Sequence, residues 1–551
     1  MMKRLILLFL LSCLFAAGVF AQAAFYEQPD YKGAFGRTDW TLGWTGLYHY
    51  GVTAEAATAQ DVVTVTDGDI TSGNTVYWTA DHTYLLDGRV FVDDGAVLHI
   101  EAGTVVKGKP GTGENASALI VARGGKIYAE GTADRPIIFT AEADDITNPA
   151  DIAYDVNGLW GGLILLGKAK INRPAGEFNI EGIPTTEPRG MYGGTDDDDN
   201  SGVVRYVSIR HGGAEIGEGN EINGLTLGGV GRGTTIEYVE VISNFDDGFE
   251  WFGGTVNCKH LISAFCGDDG FDFDEGYRGK LQYLFVLQHP DRGNRCGEHD
   301  GAPASAVTTL PKAHPVIYNA TYLGSGMNST NADQDELFKM RENFGGEYKN
   351  CIFGDYNGYG ASIEGTYSPD DAKDRLANGE LQLQNNIWFD LGKDSLGAES
   401  WTEDYLRNAA NGNVEQDPML IAIDRGQNGL LDPRPSTSGP AWDNLAEYPV
   451  TGLERIDFST SSMPVKYVLS QNYPNPFNPT TTIDFSIPNA GYVNLTIFNV
   501  LGQKIATLID GNRNAGNYSV RFDAGNLSTG WYIYRLQTEA NVMARKMLLI
   551  K

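Results

Sequence analysis

Short apolar runs broken by glycine-rich turns recur along most of this chain. Val97-Leu98-His99-Ile100, Leu119-Ile120-Val121, Ile137-Ile138-Phe139 and Leu163-Ile164-Leu165-Leu166 are examples, the last following Trp160-Gly161-Gly162. Runs this short, rich in β-branched residues and without a helical period, read as strands. They also repeat. Asp246-Asp247-Gly248-Phe249 returns as Asp268-Asp269-Gly270-Phe271, an offset of 22, and Tyr238, His260 and Tyr283 return at 22 and 23 residues. A period of this size predicts one coil of a parallel β-helix. A single coil cannot bury its own apolar face, so several must stack. The pattern predicts a coil region over residues 61–432, of about ten to fourteen coils with insertions. Residues 22–60, rich in Trp, Tyr and Gly from Phe25 onward, are expected to cap the first coil.

The texture changes after Asp432. Pro433, Pro435 and Pro440 open a linker predicted over residues 433–465. From 466 to 551 alternation returns, in Thr482–Ile487, in Val493–Ile497 and in Tyr532, Tyr534 and Leu536 on one face. Such alternating strands between Gly and Asn turns predict a small C-terminal β-sandwich. The fold class expected is therefore all-β, a parallel β-helix followed by that module. At the other end, Lys3 and Arg4 precede an apolar run from Leu5 to Ala21. A basic start, an apolar stretch and Val19-Phe20-Ala21 predict a signal peptide over residues 1–21. Leu10-Leu11-Ser12-Cys13 also resembles a bacterial lipobox, but apolar residues continue past the cysteine.

Composition sharpens this picture in two places. The net charge of −30 repels nucleic-acid phosphates and anionic lipid and suits divalent cations. Signal cleavage leaves Cys258, Cys266, Cys296 and Cys351. Their spacing does not match a tetrahedral zinc site. Four cysteines in an exported chain allow three connectivities. Cys266 and Cys296 each precede an acidic turn, and a disulfide between them on neighbouring coils is expected.

SQNYPNPFNPTTTIDFSIP, VNLTIFNVLGQKIATL, LSTGWYIYRL and the terminal KMLLIK occur in order at the C-terminus. Together they resemble the type A sorting domain of the type IX secretion system. The resemblance implies handling by the outer-membrane secretion machinery and later removal of the domain. WGGLILLG, EPRGMYGGTDDDDNSGVVRYVSIRHGG, EINGLTLGGVG and DDGFEWFGGTVNCKHL resemble secreted right-handed β-helix repeat proteins with a pectin-lyase-like fold. That likeness implies a fold much more than a reaction. The two together imply a protein that is secreted or attached to the outer-membrane surface.

Stacked coils place equivalent residues about 4.8 Å apart, so the repeat predicts columns. Asp247 and Asp269 share one, which Asp300 and then Asp335 are expected to extend. Carboxylates this close repel unless solvated, protonated or bridged by a cation, and calcium is the expected ion. Asp197, Asp199 and Ser201 before Gly202 also have the spacing that opens a calcium loop, though Ser208 stands where a closing Glu would be. On the strands after the repeated turn, alternation sends Phe249, Trp251, Phe271 and Phe273 inward. Glu250, Asp272 and Asp274 then face outward with Lys339 and Arg341. Asn244-Phe245-Asp246 and Gly267-Asp268-Asp269 also loosely resemble the Asn-x-Asp and Asp-Asp elements of polygalacturonase-type hydrolases. On that alternative Asp246, Asp268, Asp269 and His299 would be catalytic, with Glu298-His299-Asp300 and Lys339-Met340-Arg341 as approximate later elements. The reading preferred is a non-catalytic protein in adhesion, glycan binding or the surface layer, with extracellular polysaccharide as its partner. A polysaccharide hydrolase or lyase is the alternative.

Overall fold

Ala118–Val121, Lys126–Glu130 and Ile137–Ala141 make one turn of a coil, and each pairs in parallel with its counterparts in the turns before and after. The computed structural model describes residues 25–47, 61–148, 151–217, 220–331, 335–426, 430–448 and, with short gaps, 467–550. One face of the coil is a nine-stranded parallel sheet running from Arg89–Val92 to Tyr359–Ile363. Nine strands are fewer than the coils expected, because residues 167–201 and 301–315 and two short helices, Ala372–Ala377 and Ser400–Leu406, take up length. The other two faces merge into a seventeen-stranded sheet. They merge because long strands such as Gly202–Arg210, Thr235–Ile242 and Asn257–Ala264 turn the corner without a break.

The residue at each such corner is left-handed: Tyr206 (φ 48°), Tyr238 (56°), His260 (55°) and Tyr283 (62°), followed by Asn319 and Asn350 at 57°. That conformation costs a non-glycine residue about 1–2 kcal/mol. Here the rings stack from coil to coil, with centroids 4.4, 4.1 and 4.6 Å apart along Tyr206, Tyr238, His260 and Tyr283. Aromatic stacking adds about 0.5–1.5 kcal/mol per pair beyond area burial, which offsets the strain. The repeated Tyr, His and Tyr of the sequence are thus corner posts. Inside the coil, Leu165, Leu227, Phe249, Trp251, Phe271 and Phe273 meet Val241, Leu261 and Leu284 in one continuous core.

Residues 25–47 do not cap the first coil. They run down the outside of the barrel across later coils, against the stacked aromatics and a column of Ile262, Phe285, Thr321 and Ile352. Ala34 N donates to Thr321 Oγ1 at 2.8 Å, Phe35 meets Phe285, Trp40 meets His260, and Gly46 N donates to Glu240 Oε1 at 2.7 Å. Residues 430–448, expected to begin a linker, lie beside them. Lys32 N donates to Ala441 O, Arg37 lies over the Trp442 ring, and Asn350 pairs with Ala446 in both directions. The two segments form a clasp, and they cover strands whose outer sides are apolar. The first 24 residues, with the expected signal peptide and Cys13, and residues 449–466 lie outside the described residues.

The chain divides into two units, residues 1–451 and 452–551. In the second, Val468–Leu469, Thr480–Ile487 and Gly516–Asp523 form a three-stranded antiparallel sheet. Gly491–Asn499, Lys504–Arg513, Gly530–Thr538 and Val542–Leu549 form a four-stranded one. Phe485, Ile487, Leu495, Ile497, Tyr534 and Met547 lie in one apolar cluster drawn from both sheets. Among the described residues no helix is long and apolar enough to cross a membrane.

Candidate functional site

The repeated turn leads into the nine-stranded face. Asn244 holds it, donating from Nδ2 to Asp247 O at 2.9 Å and to Ile222 O at 3.2 Å. Gly248 is required there, since a Cβ would lie 2.1 Å from Ser263 Oγ and 2.8 Å from the Gly270 carbonyl. Asp247 then accepts from the Asp269 backbone at 2.8 Å, linking one coil to the next.

Register defines the columns. Phe249 pairs with Phe271, and Phe271 with Gly297, so Asp247, Asp269 and Arg295 align. Asp300 is therefore not in that column; it aligns with Asp274 and pairs with Arg341. Gly297 pairs with Phe338, so Glu336 rather than Asp335 follows Arg295, whose Nε lies 2.9 Å from Glu336 Oε1. Asp335 is thus one residue out of the column, and a cation breaks the acidic run. On the strands themselves, Phe249, Trp251, Phe271 and Phe273 are buried inside. Glu250, Asp272, Glu298 and Lys339 form one outward row and Asp274, Asp300 and Arg341 another.

The basic residues are all engaged. Arg341 binds Asp300 at 2.6 Å and Glu298 at 2.6 Å, Lys339 lies 3.4 Å from Glu364, and Arg295 lies 2.8 Å from Glu298. Asp269 is eased by the Arg295 backbone N–H at 2.6 Å. What remains is a group of converging carboxylates. Asp247, Glu250 and Asp272 each offer an oxygen within 4.8 Å of the others, and Asp246, Asp247 and Asp268 form a second such group. Burial, then the neighbouring carboxylates, hold Asp247, Glu250 and Asp272 well above the ordinary range. The same two causes, Asp268 first among the neighbours, raise Asp246 to about 7. Residues 167–201 wall the site. Their Ile171, Ile180, Ile183 and Tyr192 cover Ile164, Leu166 and Phe252, and Tyr192 OH donates to Glu275 at 2.6 Å.

Several residues singled out in the sequence lie elsewhere. His299 does not face the site. Its strand parity matches Phe271 and Phe273, and its ring is fully buried between Phe273 and Tyr348. Its Nε2 is 2.6 Å from the Tyr348 hydroxyl, and burial lowers it to about 3. Cys266 and Cys296 are both free and buried, as are Cys258 and Cys351. Cys296 aligns with Gly270, four positions beyond Cys266, so stacking does not pair them. The loop of Asp197, Asp199 and Ser201 is tied by other bonds. Asp197 is bound by Arg278 at 3.1 Å and lies 3.7 Å from Lys170, and Asp199 accepts from the Lys168 backbone at 3.1 Å. Ser201 is buried, with its backbone N donating to Thr234 Oγ1 at 2.8 Å. Neither Asp197 nor Asp199 is among the described acidic, His and Cys side chains that converge in groups of three.

Sequence reasoning missed Asn223. It stands one coil before Asp247, as Leu225 pairs with Phe249, and its Nδ2 donates to Glu250 Oε2. The signal was present: Asn223-Gly224-Leu225 is the same turn as Asp247-Gly248-Phe249 with an amide in place of the acid.

A long parallel coil with an acidic, walled face defines a parallel β-helix protein. A family model described as a pectate-lyase-like β-helix domain matches residues 68–418, and a secretion-system C-terminal sorting domain matches residues 471–551. The chain belongs to the pectate-lyase-like β-helix family and carries a type IX sorting domain, which makes it a secreted or cell-surface protein. No curated protein and no solved structure matches it closely enough to add a relative.

Proposed function

We propose that the protein binds polysaccharide at the cell surface, without catalysis, along the acidic nine-stranded face. The observation that carries this reading is how the face spends its groups. His299 is sealed in the core, and Arg295, Lys339 and Arg341 are held in ion pairs. Among the described residues, the cations beside the acidic cluster are thus taken up and the histidine faces away from it. Beside the carboxylates Asp246 and Asp268, Phe245 is half exposed, a ring able to stack on a sugar while the acids accept its hydroxyls. The excess of carboxylates disfavours uronic-acid polymers and suits neutral ones.

The hydrolase alternative draws on Asp246, raised to about 7 beside Asp268. Those two approach within 4.8 Å, less than the roughly 6.5–9.5 Å that an inverting pair needs for its water. Glycan-array binding combined with a reducing-sugar assay on neutral and uronic polymers tests the proposal. The expected result is binding to neutral polysaccharide with no new reducing ends. Reducing ends that vanish in Asp246→Asn would replace it with the hydrolase.

A further inference from the structure

Three buried carboxylates in this protein have a cation in ion-pair contact. Glu275 has Arg173, Asp432 has Arg434 and Glu336 has Arg295. Asp247, Glu250 and Asp272 differ: among the described residues none is in ion-pair contact with Lys, Arg or His, yet their oxygens converge within 4.8 Å. Such a group without a counter-charge carries a desolvation cost and mutual repulsion at once. Two further atoms at the same place lack partners. Asp272 Oδ1 is buried with no hydrogen bond. So is the Oδ1 of Asn223, a residue only 2% exposed whose amide nitrogen is already on Glu250. A buried amide oxygen without a donor is costly unless something electropositive meets it.

We infer that Asp247, Glu250 and Asp272, with the Asn223 side-chain oxygen, form a binding site for one divalent cation of the calcium type. All four donors are hard oxygens, one of them neutral, and this set together with water suits a cation that takes six to eight oxygen ligands. Magnesium keeps most of its water and demands a tighter octahedron, so it fits a carboxylate-dense site of this kind less well. Asp269, which sequence alone pairs with Asp247, is left out of the set because its oxygens do not join the converging group and its Oδ1 already accepts from the Arg295 backbone N–H. The site holds independently of what the outer face binds.

Titration of the mature protein with calcium chloride after chelator treatment, by calorimetry and thermal melting, tests this. One ion should bind with a Kd of about 0.1–1 mM, the range of extracellular sites, and raise the melting temperature, with magnesium doing less. Asp272→Asn removes charge without changing shape. It should weaken calcium at least tenfold and, measured in chelator, melt no lower than the parent protein, so a lost response cannot be laid to misfolding. Asp197→Asn should leave calcium affinity unchanged. Identical melting curves in calcium and chelator, or calcium binding that survives Glu250→Gln with Asp272→Asn but disappears in Asp246→Asn with Asp268→Asn, would overturn the assignment.

Discussion

Two histidines show how position overrules residue type. His260 stacks between Tyr238 and Tyr283, beside Trp40 and Lys259, and His299 lies against Phe273, Phe344, Tyr348 and the Glu298 carbonyl. Burial lowers both to about 3 in the folded state, against the ordinary 6.5. Below pH 6.5 the unfolded chain takes up protons that the folded chain refuses. Their contribution is therefore complete above 6.5 and lost as pH falls towards 3, at about 2.7 kcal/mol per pH unit for the two together. Nearby carboxylates with raised values act in the opposite sense, so the measurement is a difference. Denaturant unfolding of the parent and of His260→Gln between pH 7 and 5 should give curves that converge as pH falls. Parallel curves would mean that His260 titrates normally. The inward position of His299 was legible in principle, since Gly297-Glu298-His299-Asp300 repeats the parity of Phe271-Asp272-Phe273-Asp274. The connection before it, residues 288–296, is three residues longer than its counterpart 265–270 and disguised the match, and a Glu-His-Asp run invites a chemical reading.

At the scale of elements, the coil was readable because it repeats, and the clasp was not because it does not. Residues 25–47 and 430–448 bury isolated aromatics against a wall built elsewhere in the chain, with no period of their own. Only the wall carried a hint. Leu281-Gln282-Tyr283-Leu284-Phe285-Val286-Leu287 does not alternate, the mark of a strand buried on both faces, so something had to cover its outer side. The acidic face was half readable for a similar reason: alternation gave Glu250 and Asp272 their direction, but the cation at Arg295 depended on register across an insertion. The clasp is expected to contribute strongly to stability. Trp44 is fully buried against Tyr206 and Tyr238, and Trp44→Ala should cost about 3–5 kcal/mol in denaturant unfolding. Gly33 has φ 84°, and a Cβ there would lie 2.7 Å from both Ile352 and Thr321. Gly33→Ala should therefore destabilise by more than about 1 kcal/mol. Unchanged stability in both variants would mean that the segment is loosely attached.

For the whole molecule, we expect the sorting domain to be removed, and the clasp then limits where a cut can fall. Removal of the C-terminal unit has to spare residues up to Tyr448, whose hydroxyl donates to Asn319 Oδ1 at 3.1 Å. Intact-mass analysis of material from the medium or cell surface should give a chain that starts near Gln22 and ends between residues 448 and 471. A bulk product that retains the sorting domain would argue against routine removal. A chain ended at 448 should melt like the natural product, and one ended at 432 should melt lower. The clasp also sets an order of events during export. Ala34 bonds to a residue 287 positions later, and Arg434 to one 397 positions earlier. The segment from residue 25 thus has no docking surface until most of the coil exists, and the last segment of the clasp closes over it from the other end of the unit's sequence. Coils can stack one by one as they appear, but the outer wall stays uncovered until residue 448 is free. Closure of the barrel and display of the secretion address then fall at nearly the same point in the chain, so a molecule whose sorting domain has emerged has also released every residue that its coil needs to shut.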